Sequence, residues 1–121
     1  MSRVKGAGNK ATELRLIQIM REHQLRGWRR HLRIFGNPDF VFLSARLAVF
    51  VDGCFWHGCP IHGGLPATNK AFWLEKLSRN RRRDRQVTRR LKKSEWHVLR
   101  IWQHDLRNSE RVAKRIRKFL M

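Results

Sequence analysis

What this chain has little of narrows its class before any motif is read. Cysteine is scarce, at two residues, so there is no material for the disulfide framework that staples small secreted domains. Two thiols in a reducing compartment point instead to metal binding or plain burial. Acidic residues are scarce as well, with 9 Asp and Glu. Long apolar runs are missing: nothing approaches the roughly 18 residues a membrane-spanning helix needs. The first residues, Met1-Ser2-Arg3-Val4-Lys5-Gly6, carry charge without an apolar core and so do not read as a signal peptide. There is no internal repeat and no low-complexity segment. A length of 121 residues fits one domain with a single core and is too short for two. The expectation is a soluble, intracellular protein of one domain, 1–121, with residues 1–8 as a flexible basic lead-in.

What is abundant is positive charge. Against those 9 acids stand 28 Lys and Arg, a formal net charge of +19. Solubility does not require so much, and a polyanion partner explains it, because each cation that neutralises a phosphate releases counterions and strengthens binding. A membrane surface or an acidic protein answers to charge too, but the apolar fraction of 41% is that of an ordinary globular domain.

Periodicity gives the order helix, three strands, helix, strand, helix. Asn9 or Thr12 caps a first helix, with Glu13 in its first turn and Leu14, Ile17 and Met20 at three-residue spacing, widened by Leu16 and Ile19. Loose alternation from Trp28 to Phe35 predicts an exposed strand, and Gly36-Asn37-Pro38 a turn. Phe40-Val41-Phe42-Leu43 and Leu47 to Val51 are unbroken apolar runs, hence strands buried on both faces, joined at Ser44-Ala45-Arg46. A long helix capped by Thr68 or Asn69 runs to about Lys93, a strand covers Trp96 to Trp102, and a basic helix extends from about Asn108 to Phe119.

Between the third strand and the long helix both cysteines, two histidines and adjacent aromatics crowd into Asp52-Gly53-Cys54-Phe55-Trp56-His57-Gly58-Cys59-Pro60-Ile61-His62. Cys54, Cys59 and His62 are close enough to converge on one ion. Tetrahedral zinc takes thiolate and imidazole and needs a fourth ligand. His104, just past the last strand, is the best placed candidate, ahead of His57 and His97. The spacing is not that of a standard finger, and two buried thiols with surface histidines would also account for it.

A second chemistry is written around Asp39. A carboxylate ahead of two apolar strands supplies a hard oxygen ligand for Mg²⁺. His57, titrating near neutral pH, suits the base that deprotonates an attacking water. Trp73, Leu77, Asn80 and Asp84 share one face of the long helix, so Asp84 could orient His57. Taken singly, Pro-Asp is a common turn, Asp84 amid arginines is a surface ion pair, and Phe55, Trp56 and Trp73 are core.

Together, Asp39 to Val51, the Cys-Phe-Trp-His segment, Phe72-Trp73-Leu74-Glu75-Lys76 with Asn80 and Arg83-Asp84-Arg85, and Trp96 to Trp102 resemble the very short patch repair (Vsr) endonucleases over about residues 11 to 107. The resemblance implies a restriction-endonuclease-like (PD-(D/E)XK) α/β fold, with a central mixed four-stranded sheet flanked by helices and a structural zinc. It implies Mg²⁺-dependent nicking of one DNA strand beside a T:G mismatch. Carried onto this sequence, it makes Asp39 and the backbone carbonyl of Val51 the Mg²⁺ ligands and His57 the general base. Glu13 and Asp84 become its supporting acids, and Cys54, Cys59, His62 and His104 the zinc ligands. Phe55, Trp56 and Trp73 become wedges into the DNA stack, with Asn80 beside them at the DNA. Asp52 stands where sequences of that family vary. The resemblance further implies a monomer in the bacterial cytoplasm, associated with the nucleoid and with double-stranded DNA, and a mismatch-repair protein as recruiting partner. Two other functions share these features: a Vsr-like homing or mobile-element endonuclease without mismatch specificity, and a non-catalytic, zinc-stabilised nucleic-acid-binding module.

Overall fold

The computed structural model describes residues 2–53 and 68–120, with side chains from residue 11 onward. Its elements are α1 (Ser2–Glu22), β1 (Trp28–Arg30), β2 (Phe40–Phe42), β3 (Leu47–Asp52), α2 (Lys70–Lys93), β4 (His97–Trp102), a 3-10 turn at Gln103–Arg107, and α3 (Ser109–Leu120). The sheet order is β1-β2-β3-β4. β1 to β3 are antiparallel neighbours, whereas β4 runs parallel to β3, with Val51 opposite Ile101 and Asp52 opposite Trp102. The long helix α2 is the crossover that such a parallel return requires. This is the mixed four-stranded sheet with flanking helices that the sequence leads one to expect.

Alternation along β3 and β4 divides the interior into two layers. Leu47, Val49, Val51, Leu99 and Ile101 pack with Leu16, Ile19 and Met20 of α1 and Val112, Ala113 and Ile116 of α3. Ala48 and Phe50 face the other way, onto Val87 and Leu91 of α2, with Trp96 and Val98 against them. Burial on both faces is why β3 reads as an uninterrupted apolar run.

Three boundaries differ from the sequence expectation. The first helix begins at Ser2, so the segment expected as a lead-in is helical and neither Asn9 nor Thr12 is a cap. Once a helix is nucleated each further residue adds one hydrogen bond, and no proline interrupts this stretch. Glu13 therefore lies mid-helix, and Leu14, counted to the apolar stripe, is exposed. The expected strand from Trp28 to Phe35 stops at Arg30, because His31 adopts a left-handed backbone (φ 54°) and Ile34 and Asn37 donate within tight turns. Finally, Asn69 does precede α2, but with a left-handed backbone and without a side-chain capping bond.

Gly36 fixes that turn against α2. Its φ of +85° suits glycine, and a Cβ there would run into Cγ1 of Val87. The guanidinium of Arg90 lies 4.4 Å from the Phe35 ring centre on the same side. The loop leading to Asp39 is thereby seated on the helix that carries Asp84.

Candidate active site

Asp39, half-buried just ahead of β2, is held from two directions. Its amide donates to the carbonyl of Val49 at 3.0 Å, and its Oδ2 accepts the amide of Val51 at 2.7 Å. The carboxylate thus lies against the backbone at the end of β3, beside the residue whose carbonyl was expected as the second oxygen ligand.

Next along β3, Asp52 is only 6% exposed. A carboxylate so buried needs a cation and hydrogen bonds. Arg100 of β4 supplies both, with Nη1 at 3.0 and 3.2 Å from the two carboxylate oxygens. The same guanidinium reaches α2: Nε donates to Thr88 Oγ1 at 3.0 Å and Nη2 to the Asp84 carbonyl at 3.3 Å, while Nη1 lies 3.8 Å from Asp84 Oδ1. Its plane covers the Phe50 ring at 4.3 Å. Arg100 therefore ties β3, β4 and α2 together beside Asp84.

On the opposite side, Glu13 of α1 is 5% exposed. Its Oε1 accepts from Arg30 Nη2 at 2.8 Å and sits 3.1 Å from His31 Nε2. The amide of His31 in turn donates to the Asp39 carbonyl at 3.4 Å. A continuous path of contacts consequently runs from Glu13 through His31, Asp39, Val51, Asp52 and Arg100 to Asp84. Three of the acids singled out in the sequence, Glu13, Asp39 and Asp84, lie along that path.

Trp73, Leu77, Asn80 and Asp84 do share the inward face of α2, each at least half-buried, with Val87 and Leu91 continuing it. Trp73 meets Phe72 edge to face at 5.1 Å, and Phe72 is exposed. His104 stands at the start of the 3-10 turn, its ring stacked on Trp102 at 6.5 Å, with Nε2 3.6 Å from Asp105 Oδ1. Asp105 also accepts the Trp102 amide at 2.8 Å, which fixes the exit from β4. Cys54, Phe55, Trp56, His57, Cys59 and His62 lie outside the described residues. Among the described residues no group of three or more His, Cys, Asp or Glu is placed to hold a metal ion, and of the four expected zinc ligands only His104 is one of them.

Sequence reasoning passed over Arg30, His31, Asp52 and Arg100. For Asp52 and Arg100 a signal existed, since a lone charge inside an apolar strand implies a buried partner. For His31 there was none, because its role depends on a backbone conformation that its residue type does not announce.

A family model described as DNA mismatch endonuclease Vsr matches residues 1–62. The type II nicking enzyme V.NmeDIP of Neisseria meningitidis serogroup C is 42% identical over 122 residues, covering 94% of this chain and 78% of the relative. The chain belongs to the Vsr endonuclease family. The DNA mismatch endonuclease Vsr of Escherichia coli K12 is 42% identical over 80 residues, covering 64% of this chain and 51% of that protein. Type II nicking enzyme V.NaeI of Lentzea aerocolonigenes is 53% identical over 69 residues, 57% of this chain and 42% of its own length. Against some of its Vsr relatives the match thus covers less than two thirds of their length.

Proposed function

We propose that this chain is a Mg²⁺-dependent DNA endonuclease of the Vsr type, nicking one strand of duplex DNA beside a T:G mismatch. The observation that carries the reading is the contact path joining Asp39 to Glu13 on one side and Asp84 on the other, at the end of β3. Family membership and the charge of +19 support it from outside the site.

The donors fit a hard cation. Asp39 offers one carboxylate and the neighbouring backbone offers carbonyl oxygen, and Mg²⁺ takes few protein ligands, completing its shell with water and substrate phosphate. Asp39 and the Val51 carbonyl would hold it. When bound, the ion supplies charge stabilisation at the reacting phosphate. In this reading His57 takes the proton of the attacking water as the new P–O bond forms and the strand's own P–O bond breaks. Asp84, steadied by Arg100, and Glu13 support that histidine. Cys54, Cys59, His62 and His104 hold zinc as a brace. In support, the parallel register sets Asp52 beside Trp102, so the chain leaves both strands at the same end of the sheet. Trp73 and Asn80 on α2, with Phe55 and Trp56, form the surface against the deformed duplex.

The test is a pair of end-labelled duplexes identical except for one T:G in place of T:A, incubated with protein and Mg²⁺ and resolved under denaturing conditions. The expected product is a single nick in the mismatched duplex alone. Equal cutting of both would replace the repair role by sequence-directed cleavage, and no cutting of either would leave a binding module.

A further inference from the structure

In a regular strand consecutive side chains point to opposite faces. Arg30 and His31 are consecutive, yet both reach the same oxygen of Glu13, at 2.8 and 3.1 Å. The left-handed backbone of His31, φ 54°, is what turns the second side chain back to the side of the first. Such a conformation is costly for a residue other than glycine and persists where the surroundings enforce it, often at functional sites.

Neutralising Glu13 does not require it. One guanidinium at 2.8 Å already pairs the buried carboxylate, so a second partner obtained through a left-handed backbone calls for another reason. Exposure suggests one. The Glu13 side chain is 7% exposed, but those of Arg30 and His31 are 38% and 61% exposed. A buried anion thus holds a solvent-facing guanidinium and a solvent-facing imidazole in a fixed relation. The bond to Glu13 engages one nitrogen of each, Arg30 Nη2 and His31 Nε2. Arg carries five N–H donors, so Arg30 keeps donors for an outside anion after its bond to Glu13, whereas His31, with Nε2 given to Glu13, donates from Nδ1 only as the doubly protonated ring. β1 lies at the edge of the sheet, and the His31 amide is bonded to the carbonyl of Asp39.

We propose that Arg30 and His31 form a binding site for one backbone phosphate of the DNA substrate, adjacent to the one that is cut, with Glu13 as the positioning residue that sets their geometry. The site rests on the reading of this chain as a DNA endonuclease with Asp39 at its metal. Setting Arg30 and His31 is a second role for Glu13, beside its support of His57. Bidentate contact from Arg and a second donor from His are well matched to a phosphodiester.

The experiment measures binding without Mg²⁺, so that it does not depend on cleavage. A labelled T:G duplex is prepared as a set in which single phosphates are replaced by uncharged methylphosphonates, and affinities are taken for the intact protein, Arg30→Gln and His31→Asn. Asparagine tolerates the left-handed backbone, which keeps the fold of the turn. One position near the mismatch is expected to weaken binding by the intact protein roughly tenfold, as loss of a charge-assisted bond does. Both variants should be insensitive at that position, and the slope of log affinity against log salt should fall by about one for Arg30→Gln. Glu13→Gln should blunt the same position while retaining Arg30 and His31, and its melting temperature reports whether the fold survives. Variants that keep the full methylphosphonate profile and salt slope would overturn the site and leave Arg30 and His31 as charge partners of Glu13. Normal nicking with that result would preserve the endonuclease reading, and an intact phosphate signature without nicking would sink the latter alone.

Discussion

The bond between Asp39 Oδ2 and the Val51 amide is one that any oxygen can make, whereas its charge is one that only a carboxylate carries. Its Oδ2 accepts the Val51 amide at 2.7 Å, a role the amide oxygen of Asn fills equally. Asp39→Asn is therefore expected to keep the melting temperature within a few degrees while cutting the nicking rate about a thousandfold, since charge stabilisation at a metal is worth several kcal/mol. A fold collapsed by that substitution would mark Asp39 as structural. Gly36 is the opposite case, a residue whose value is what it lacks. Gly36→Ala combines a strained φ with a collision at Val87 and is expected to lower unfolding free energy by roughly 1–3 kcal/mol in urea titration. Adding Val87→Ala should remove the steric part and leave the backbone part, so failure of any rescue would refute the packing account. Asp39 was legible in the sequence because a turn and an apolar strand frame it. For Asp52 the sequence signals only that a buried charge needs a partner; that the partner is Arg100 is seen only across the parallel register.

At the scale of elements, β3 was readable as an unbroken apolar run buried on both faces, β4 by alternation and α2 by a period near 3.6. β1 was not, because its end is set by the backbone of His31 rather than by composition. The start of α1 escaped because Asn9 and Thr12, residue types that favour caps, lie inside the helix. What joins these elements is Arg100, which touches Asp52 on β3 and Asp84 and Thr88 on α2. Arg100→Met would take the guanidinium from a carboxylate that is 6% exposed and is expected to cost roughly 3–5 kcal/mol by urea denaturation. Asp52→Asn combined with it should recover a large part of that loss. If the double variant is as unstable as the single one, the pair is not what holds the three elements together. Lys at position 100 keeps the charge but not the fork, so partial stability with a reduced nicking rate is the expected outcome.

For the molecule as a whole, charge dominates. With +19 on 121 residues, affinity for matched duplex should fall steeply with salt: six to ten phosphate contacts predict a loss of roughly 10³ to 10⁵ between about 50 and 200 mM. Fluorescence anisotropy with a labelled duplex measures it directly, and a flat salt dependence would contradict a phosphate-dominated interface. Among the described residues no helix is long and apolar enough to cross a membrane. The sheet's margins add a consequence of a different kind. Among the described residues β1, at one margin, is three residues long and broken off by His31; at the other, Arg115 of α3 donates to the Arg100 carbonyl of β4 at 3.0 Å. Short, charged or covered margins offer a poor template for strand addition by another chain. Two copies bound side by side on one DNA would therefore find little at either described margin to pair with as a shared sheet.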